Sequence, residues 1–372
     1  MLTASEFREI VSGRRRGVRA ALWRAALGVA EVPYTAVVTW RNRQFDRGRN
    51  VQRVGVPVVS VGNLTLGGTG KTPMVEWLAR WFVARGVRVA LVSRGYGAAA
   101  GQANDEAREL AEKLPDVPHF QNPRRVAAAR EAIAAGGQLL ILDDGFQHRR
   151  LARDLDIVLV DALEPLGFGH VFPRGTLREP LAGFGRAQLI ALTRADLVDA
   201  ATRAQIRGQI ERYAPHAQWL EVSHAPRAIR RADGSEGPLD SLSGQRVAAF
   251  CGIGNPSGFR HALDSCGCQV VELREFADHH PYSAADVADL TRWASSLDVQ
   301  SVVCTHKDLV KLSVEKLGAR PLFALAIGLK ILAGEEQLVA KLEPLVVRAL
   351  TKNEELTTEA QWHREEDGRD TV

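Results

Sequence analysis

The 372-residue sequence is poor in cysteine, and its pattern of cysteines excludes two classes of small stabilised domain. None of the cysteines forms a Cys-x-x-Cys pair, so a disulfide framework and a structural zinc site are not predicted. Free thiols in a reducing compartment are expected instead. Nor is a secretory signal predicted, because the first ten residues carry two acids and no apolar core follows them. The four cysteines are Cys251, Cys266, Cys268 and Cys304.

The sequence also lacks a long apolar run of the kind that crosses a bilayer. The best candidate, Val18 to Val32, is interrupted by Arg19, Arg24 and Glu31 and is followed by Pro33. A transmembrane helix needs about 20 apolar residues with few charges, so a span is rejected. An amphipathic helix lying at the level of the lipid headgroups fits the pattern. A helix packed on the protein's own sheet, with solvated arginines, is the alternative that the segment by itself leaves open.

Charge is plentiful but unevenly placed. The net charge is +4, yet the first 53 residues alone hold eleven arginines and four acids, while the tail 351–372 holds three basic and seven acidic residues. The excess of positive charge is therefore an N-terminal property and predicts an anionic partner there, either nucleic acid or an anionic membrane surface. Because these arginines come without an aromatic platform, no nucleic-acid partner is predicted.

From Pro57 onward, short apolar runs alternate with helical stretches. Val56 to Val61 and Leu139 to Leu142 are continuous apolar runs, as buried parallel strands are. This alternation predicts an α/β fold with a mostly parallel sheet, a second smaller α/β domain and ligands at the carboxyl ends of the strands. The predicted segments are a basic membrane-associating segment 1–50, a P-loop domain 51–225, a linker or hairpin 226–246, a second α/β domain 247–350 and a disordered acidic tail 351–372.

The strongest motif is GNLTLGGTGKTP, which follows one predicted strand and opens a helix. That context is typical of a phosphate-binding loop, in which glycines turn backbone N–H groups toward phosphate oxygens. Lys71 is expected to reach the β- and γ-phosphates, and the Thr72 hydroxyl to hold Mg²⁺. One position departs from the usual pattern, since Thr65 stands where the first glycine is expected. The nucleotide-binding residues predicted here are Gly67, Gly68, Thr69, Gly70, Lys71 and Thr72.

A second motif, LLILDDGFQH, ends an apolar strand in two carboxylates. Asp143 and Asp144 have the arrangement that places a carboxylate beside the Mg²⁺ of a phosphate-binding loop. Gln147 and His148 either orient a ligand or cap the turn. Farther along, DHHPY (278–282) is compatible with an Asp–His dyad that handles a proton, or with a polar surface loop; a metal site is disfavoured because no further ligand set is suitably spaced.

Taken in order, these motifs resemble one family. GGTGKTP, SRGYG, DDGFQH, GTLREP, FADHHPYS and THKDLVKL occur in this sequence between Val56 and Leu312 and are similar to the tetraacyldisaccharide 4'-kinases of lipid A biosynthesis. The resemblance implies transfer of the ATP γ-phosphoryl group to the 4'-hydroxyl of an acylated glucosamine disaccharide 1-phosphate, with ATP and Mg²⁺ as cofactors. It also implies a peripheral enzyme on the cytoplasmic face of the inner membrane of a Gram-negative-type bacterium, held by an N-terminal helix, with no obligate protein partner.

The resemblance further implies roles for individual residues. Asp105 matches the catalytic carboxylate of the family and His279 its partner. A metal and phosphate shell is implied at the two strand-end carboxylates and Glu179. The family site also includes one arginine near 124 and 125, for which Arg125 is the better match. The implied metal-binding residues are Thr72, Asp143, Asp144 and Glu179, and the other site residues are Gln147, Arg125 and Arg178.

The alternative function is a switch-type P-loop NTPase of the partitioning or metallochaperone kind. The partitioning type carries a lysine where Leu66 stands, and the metallochaperone type has cysteines near the nucleotide, whereas the four cysteines here lie elsewhere. A membrane-binding module that uses nucleotide only for folding is a third possibility. It predicts that Lys71→Ala weakens ATP binding but leaves the biological function intact.

Overall fold

A computed structural model describes residues 4–95, 110–278, 280–312 and 314–367. The chain forms two compact units. The first comprises Met1–Ser223 and Ile331–Val372, and the second comprises His224–Lys330. The chain passes from the first unit to the second within one long strand and returns within another. Each unit is an α/β layer with a mostly parallel sheet, as the alternating apolar and helical segments predict.

The N-terminal segment consists of two helices, α1 (Ala4–Val11) and α2 (Val18–Asp46). Helix α2 buries Ala20 and Val38, while much of its apolar surface faces outward. The polar side chains on the inward face hold the helix to the rest of the first unit. Among the described residues, no helix is long and apolar enough to cross a membrane.

The sheet of the first unit has the strand order β7-β6-β5-β1-β4-β2-β3, and each neighbouring pair is parallel. Four of these strands are buried along their whole length, which explains their continuous apolar runs. The strands are β1 (Val58–Asn63), β2 (Val89–Ser93), β3 (His119–Gln121), β4 (Leu139–Asp143), β5 (Leu155–Asp161), β6 (Leu189–Thr193) and β7 (Gln218–Arg230).

Among the described residues, the helices that connect these strands include α3 (Lys71–Val83), α4 (Arg125–Ala134) and α5 (Ala200–Glu211). A small-residue face of α4, which includes Ala128 and Ala132, packs on Leu140 and Leu142 of β4. Helix α5 packs Ile206 against the apolar residues of β5 and β6. Parallel strands joined in this way direct their carboxyl ends to one edge of the sheet, where ligands of such folds bind.

The second unit has its own parallel sheet in the order β10-β9-β11-β13. Alternate residues of β9 separate its two cores: Val247 and Ala249 pack with α6, whereas Ala248 and Phe250 pack with α7. Its elements are β8 (Glu236–Gly237), β9 (Arg246–Cys251), α6 (Pro256–Ser265), β10 (Gln269–Glu275), α7 (Ala284–Ser296), β11 (Ser301–Thr305), α8 (His306–Leu309), β12 (Lys316–Leu317) and β13 (Arg320–Ala333).

Two segments take a definite form in the structure. The polar stretch expected as a linker or hairpin contains the end of β7, which pairs antiparallel with β8 as a hairpin. The last helix, α9 (Glu335–Asp367), continues well into the segment predicted to be a disordered tail. The chain crosses between the two units within β7 and within β13.

Candidate active site

The phosphate-binding loop lies between β1 and α3, as the motif predicts. Gly70 caps α3 with a left-handed φ of 82°, and Gly67 has a φ of 119°, conformations that side chains other than glycine rarely adopt. Lys71 then begins the helix and directs its Nζ to within 3.5 Å of the Oδ1 atom of Asn63, at the end of β1. The hydroxyl of Thr69 is buried and has no hydrogen-bond partner among the described residues, which leaves a donor for a phosphate oxygen.

The unusual Thr65 has a structural explanation. The N–H of Leu66 donates to the carbonyl of Thr176 at 2.7 Å, and the N–H of Arg178 donates to the carbonyl of Leu64 at 2.6 Å. Thr65 thus forms an antiparallel bridge with Leu177 and has an extended backbone, which suits a β-branched residue. The same bridge brings the GTLREP loop against the phosphate-binding loop.

The two strand-end carboxylates occupy the same edge of the sheet. Asp143 ends β4 in register with Val61 of β1, and Asp144 follows it with a left-handed φ of 50°. Both carboxylate oxygens of Asp144 accept hydrogen bonds from Nη1 of Arg178 at 2.9 Å, and Lys71 Nζ lies 3.7 Å from Asp144 Oδ1. Burial by itself would raise the pKa of Asp144, but the charges of Lys71 and Arg178 outweigh it, so the pKa is lowered.

Arg125, rather than its neighbour Arg124, belongs to this cluster. Arg125 is buried at the start of α4 and its Nη2 donates to the carbonyl of Asp144 at 3.4 Å, whereas Arg124 is exposed. Burial lowers the pKa of Arg125, and the negative charge of Asp144 partly offsets that effect. The Nε atoms of Arg125 and Arg178 are buried without a hydrogen-bond partner in the described part of the chain, so both have unused donors.

Glu179 is more deeply buried than Asp144 and has different hydrogen-bond partners. Its side chain is 1% exposed, and its Oε1 accepts hydrogen bonds from Arg186 at 2.8 Å and from Gln147 at 3.2 Å. Its Oε2 accepts a hydrogen bond from Asn42 of α2 at 2.7 Å. Gln147 also accepts from Arg178 at 3.4 Å and therefore links the two acidic residues of the site. Three donors on one carboxylate indicate that Glu179 organises the site.

The cluster includes residues that the motifs did not predict. Arg194 follows β6 with a left-handed φ of 56° and donates to the carbonyl of Gly68 at 2.8 Å, while its other nitrogen pairs with Asp161 at 2.9 Å. Asn63, Asn42 and Arg186 were also missed. Asn63 and Arg194 could have been suspected from their positions directly at strand ends, but Asn42 lies far away in the sequence and gives no such signal.

The donor set suits Mg²⁺ bound together with a nucleotide. Mg²⁺ in kinases is held by one or two carboxylates, phosphate oxygens and water. Asp143 and Asp144 supply such carboxylates beside the loop, and Thr72 supplies a hydroxyl in the first turn of α3. Among the described residues, no three acidic, histidine or cysteine side chains form a metal site by themselves, which such a site does not require.

Two motifs of the second unit form a separate polar cluster. Asp308 is fully buried and accepts hydrogen bonds from Thr305 Oγ1 at 2.6 Å, the Tyr282 hydroxyl at 3.1 Å and the Gly252 N–H at 3.1 Å. Burial and the neighbouring Asp308 raise the pKa of Tyr282. Next to Tyr282, the carbonyl of His280 accepts a hydrogen bond from Lys311 at 3.3 Å. The end of the DHHPY motif is thus held at His280 and at Tyr282.

The described structure accounts for twelve of the fourteen sequence-predicted site residues, all in the first unit. The loop residues 67–72 lie between β1 and α3, and Asp143, Asp144, Gln147, Arg125, Arg178 and Glu179 form the contacts given above. The predicted catalytic pair, Asp105 and His279, lies outside the described residues.

The comparison with known protein families decides the assignment. The family model for tetraacyldisaccharide-1-P 4'-kinase matches residues 23–346. The chain belongs to this family. The match begins within α2 and ends within α9, so it includes every element that carries the candidate site described above. It does not favour the switch-type NTPase.

Individual members of the tetraacyldisaccharide 4'-kinase family are similar over most of their length. A tetraacyldisaccharide 4'-kinase of Anaeromyxobacter sp. (strain K) is 39% identical, with 90% of this chain and 94% of that protein covered. One from Geobacter sulfurreducens is 37% identical, with 87% and 94% covered. Among solved structures, LpxK from Aquifex aeolicus in complex with ATP superposes with a TM-score of 0.68 at 29% identity, covering 87% of this chain and 99% of that one.

Proposed function

We propose that this protein transfers the γ-phosphoryl group of ATP to the 4'-hydroxyl of tetraacyldisaccharide 1-phosphate, a step of lipid A biosynthesis. Family membership supports the reaction, and one observation carries the assignment of the site: Lys71 and Arg178 converge on Asp144 beside the phosphate-binding loop. Phosphoryl transfer depends on positioning and on neutralising charge. A site with two strand-end carboxylates and three inward-facing cations is suited to that task.

Each group of site residues has a separate proposed role. Backbone N–H groups of the loop and the N-terminus of α3 bind the β- and γ-phosphates, and Lys71 contacts them directly. Asp143, Asp144 and the Thr72 hydroxyl would hold Mg²⁺, which when bound neutralises charge on the phosphates. Arg178 and Arg125 use their unpartnered Nε–H groups to bind phosphate oxygens. Glu179 keeps Arg186 and Gln147 in place and so orients the group around Asp144.

A base must accept the proton of the sugar hydroxyl as the new P–O bond forms, and such help is worth about 10²–10⁴ in rate. Asp105 is the proposed base, with His279 as the residue that tunes or relays the proton. Both assignments rest on the DHH and Asn-Asp-Glu motifs of the sequence. Asp105→Ala with intact ATP binding and near-normal turnover would remove Asp105 from this role.

Association with the cytoplasmic face of the inner membrane is part of the proposal, and helix α2 is the element expected to make the contact. Val18, Leu22, Val29, Val32 and Trp40 are 64–79% exposed and follow one another along one side of the helix. A continuous exposed apolar stripe on a monomer is typical of an interaction surface. The eleven arginines of the first 53 residues complement an anionic lipid surface.

The decisive test is ATP-dependent transfer of ³²P to purified tetraacyldisaccharide 1-phosphate in detergent. Wild type should label the lipid, and Lys71→Ala should not, because the mutant lacks the cation at the transferred phosphate. Lys341→Ala removes the same charge from an exposed position on α9 and should label the lipid normally. A folded, ATP-binding wild type that transfers nothing would contradict the proposal.

A further inference from the structure

A basic cavity lies next to the cluster around Asp144 and shares Gln147 with it. It has a volume of about 400 Å³ and is formed by the last turns of α2, the turn that follows it and the segment 147–150 after β4. This size is within the range of small-molecule sites. The lining residues that matter here are Trp40, Arg41, Arg49, His148, Arg149 and Arg150.

Four arginines give the cavity a strong positive charge. Arg149 is partly offset by Asp46, whose Oδ1 lies 2.6 Å from its Nη2, and Arg49 donates to Gln44 at 2.9 Å. Arg41 and Arg150 are exposed, and within the described part of the chain neither forms an ion pair. They are free to bind an anion. Arginine is the side chain best suited to phosphate, because its planar guanidinium donates two parallel hydrogen bonds.

The pKa of His148, which lines the cavity, is affected by the same positive charge. Burial and the charges of Arg125, Arg150, Arg153 and Arg94 lower its pKa to about 4. Its Nε2 is buried and has no hydrogen-bond partner among the described residues. The imidazole is therefore neutral near pH 7, and the positive charge of the cavity comes from its arginines.

The walls of the cavity favour a lipid over a free anion. Trp40 lines it and is also 64% exposed at the end of the apolar stripe of α2. An anionic headgroup in the cavity would therefore leave its acyl chains beside the exposed Val29, Val32 and Trp40. Tryptophan at such a boundary is typical of membrane interfaces, where one side is apolar and the other wet.

We propose that this cavity binds the phosphodiester headgroup of an anionic membrane lipid. The proposal deepens the proposed function, since it rests on the membrane association of α2. It assigns a defined lipid site to one end of that helix and not only a diffuse electrostatic attraction.

The test uses the full-length protein and monomeric, short-chain phosphatidylglycerol below its critical micelle concentration, measured by isothermal titration calorimetry. A soluble monomer has no surface potential, so diffuse attraction to a bilayer makes no contribution. Wild type should bind one molecule saturably. Arg41→Gln/Arg150→Gln should weaken binding at least about tenfold, because both unpaired guanidinium groups that would donate hydrogen bonds to the phosphodiester are lost.

A matched control loses the same charge elsewhere in the N-terminal segment. Arg14→Gln/Arg19→Gln removes two exposed arginines that do not line the cavity and should bind the lipid as wild type does. Lipid bound beside Trp40 should change the tryptophan fluorescence of the wild type, and Trp40→Phe should remove that change. Absence of saturable binding to wild type, or equal loss in both double variants, would overturn the proposal. Equal affinity for glycerol 1-phosphate would show a free-phosphate site, and competition by ATP an extension of the nucleotide site.

Two further measurements separate this proposal from its alternatives. Cations near a helix C-terminus stabilise the helix, so Arg41 and Arg150 could serve only that purpose. In that case the double variant would have a lower Tm and unchanged lipid affinity, which would refute the lipid site. Phosphoryl transfer in detergent, measured on the same preparations, tests the kinase reaction independently, because binding of phosphatidylglycerol requires no catalysis.

Discussion

Asp144 in the first unit and Asp308 in the second are both acids that follow a parallel strand, yet their surroundings differ. Asp144 is surrounded by cations, with Arg178 at 2.9 Å and Lys71 at 3.7 Å. Asp308 is surrounded by neutral donors: two hydroxyls and one backbone N–H. Cations can exchange a carboxylate for a phosphate, whereas neutral donors on a fully buried acid hold a loop in one conformation. The comparison therefore distinguishes the proposed phosphate-binding site around Asp144 from a hydrogen-bonded cluster around Asp308 that stabilises the fold.

The largest expected effect is on catalysis, at Asp144. Asp144→Asn should lower kcat for lipid phosphorylation by about 10²-fold or more, because it removes one of the carboxylates proposed to hold Mg²⁺ at the phosphates. The free energy of unfolding should change by less than about 1 kcal/mol, since its partners keep some contact with water. Steady-state ³²P transfer and urea denaturation measure the two quantities. Asp116→Asn, an exposed acid of the same unit, should change neither.

Asp308 should give the opposite result. Asp308→Asn should lower the free energy of unfolding by about 2 kcal/mol, because the new amide cannot accept from all three donors and leaves at least one of them buried and unsatisfied. Urea denaturation monitored by tryptophan fluorescence measures the change. Asp298→Asn, whose side chain is 91% exposed, is the control and should leave stability within error. An unchanged midpoint for Asp308→Asn would remove the distinction between the two acids.

Tyr282→Phe should have a smaller effect, a loss of about 1 kcal/mol in the free energy of unfolding. The ring still packs against Phe250 and Phe276, so only the hydrogen bond to Asp308 is lost. A double-mutant cycle with Asp308→Asn measures the coupling directly. Strict additivity of the two changes would show that the hydroxyl does not act through Asp308.

A separate expected effect is on the pH dependence of stability. Burial and nearby arginines lower the pKa of His148 from 6.5 to about 4 in the folded protein, so between these values the unfolded chain binds more protons. Stability should therefore fall as the pH falls from about 6.5 to about 4. His148→Gln should remove only part of this slope, because burial lowers the pKa of His119 to about 4 as well.

Asp144 should respond in a different range of pH. Its pKa is lowered in the folded state, so its contribution to stability is present above the unfolded value of about 3.9 and is lost only as the pH falls through the lower folded value. Urea denaturation at a series of pH values tests both residues. A slope above pH 4 that persists unchanged in His148→Gln would refute the assignment to the imidazole.

The sequence predicts local elements well and long-range partners poorly. Continuous apolar runs at Val58–Asn63 and Leu139–Asp143 identify buried strands, because strands covered on both sides have no polar alternation. The loop between Gly67 and Thr72 is predictable because its glycines and its Lys-Thr pair are adjacent in the sequence, so the whole element is local. Thr65 departs from the usual loop pattern, and the sequence does not explain why. The bridge to Leu177 that accounts for it joins residues more than a hundred positions apart.

Glu179 shows the same limit within the candidate site. The family resemblance implies a metal-binding carboxylate at Glu179, and the structure surrounds that carboxylate with Asn42, Gln147 and Arg186. Asn42 contributes no motif and comes from a helix for which the sequence leaves membrane association and packing on the protein's own sheet both open. Buried polar groups require partners, but a sequence does not state which distant residue supplies them.

The hydrogen bond from Asn42 to Glu179 has a practical consequence for handling the protein. Residues with exposed apolar side chains are commonly deleted to improve solubility, and α2 would be the first choice. Shortening this protein at its N-terminus would also remove the amide that satisfies Glu179, together with Glu31, whose carboxylate accepts from the Val171 N–H at 2.7 Å. A trimmed version would gain solubility at the expense of the loop that carries Arg178. Replacing Val29 and Val32 with polar residues would keep both anchors in place.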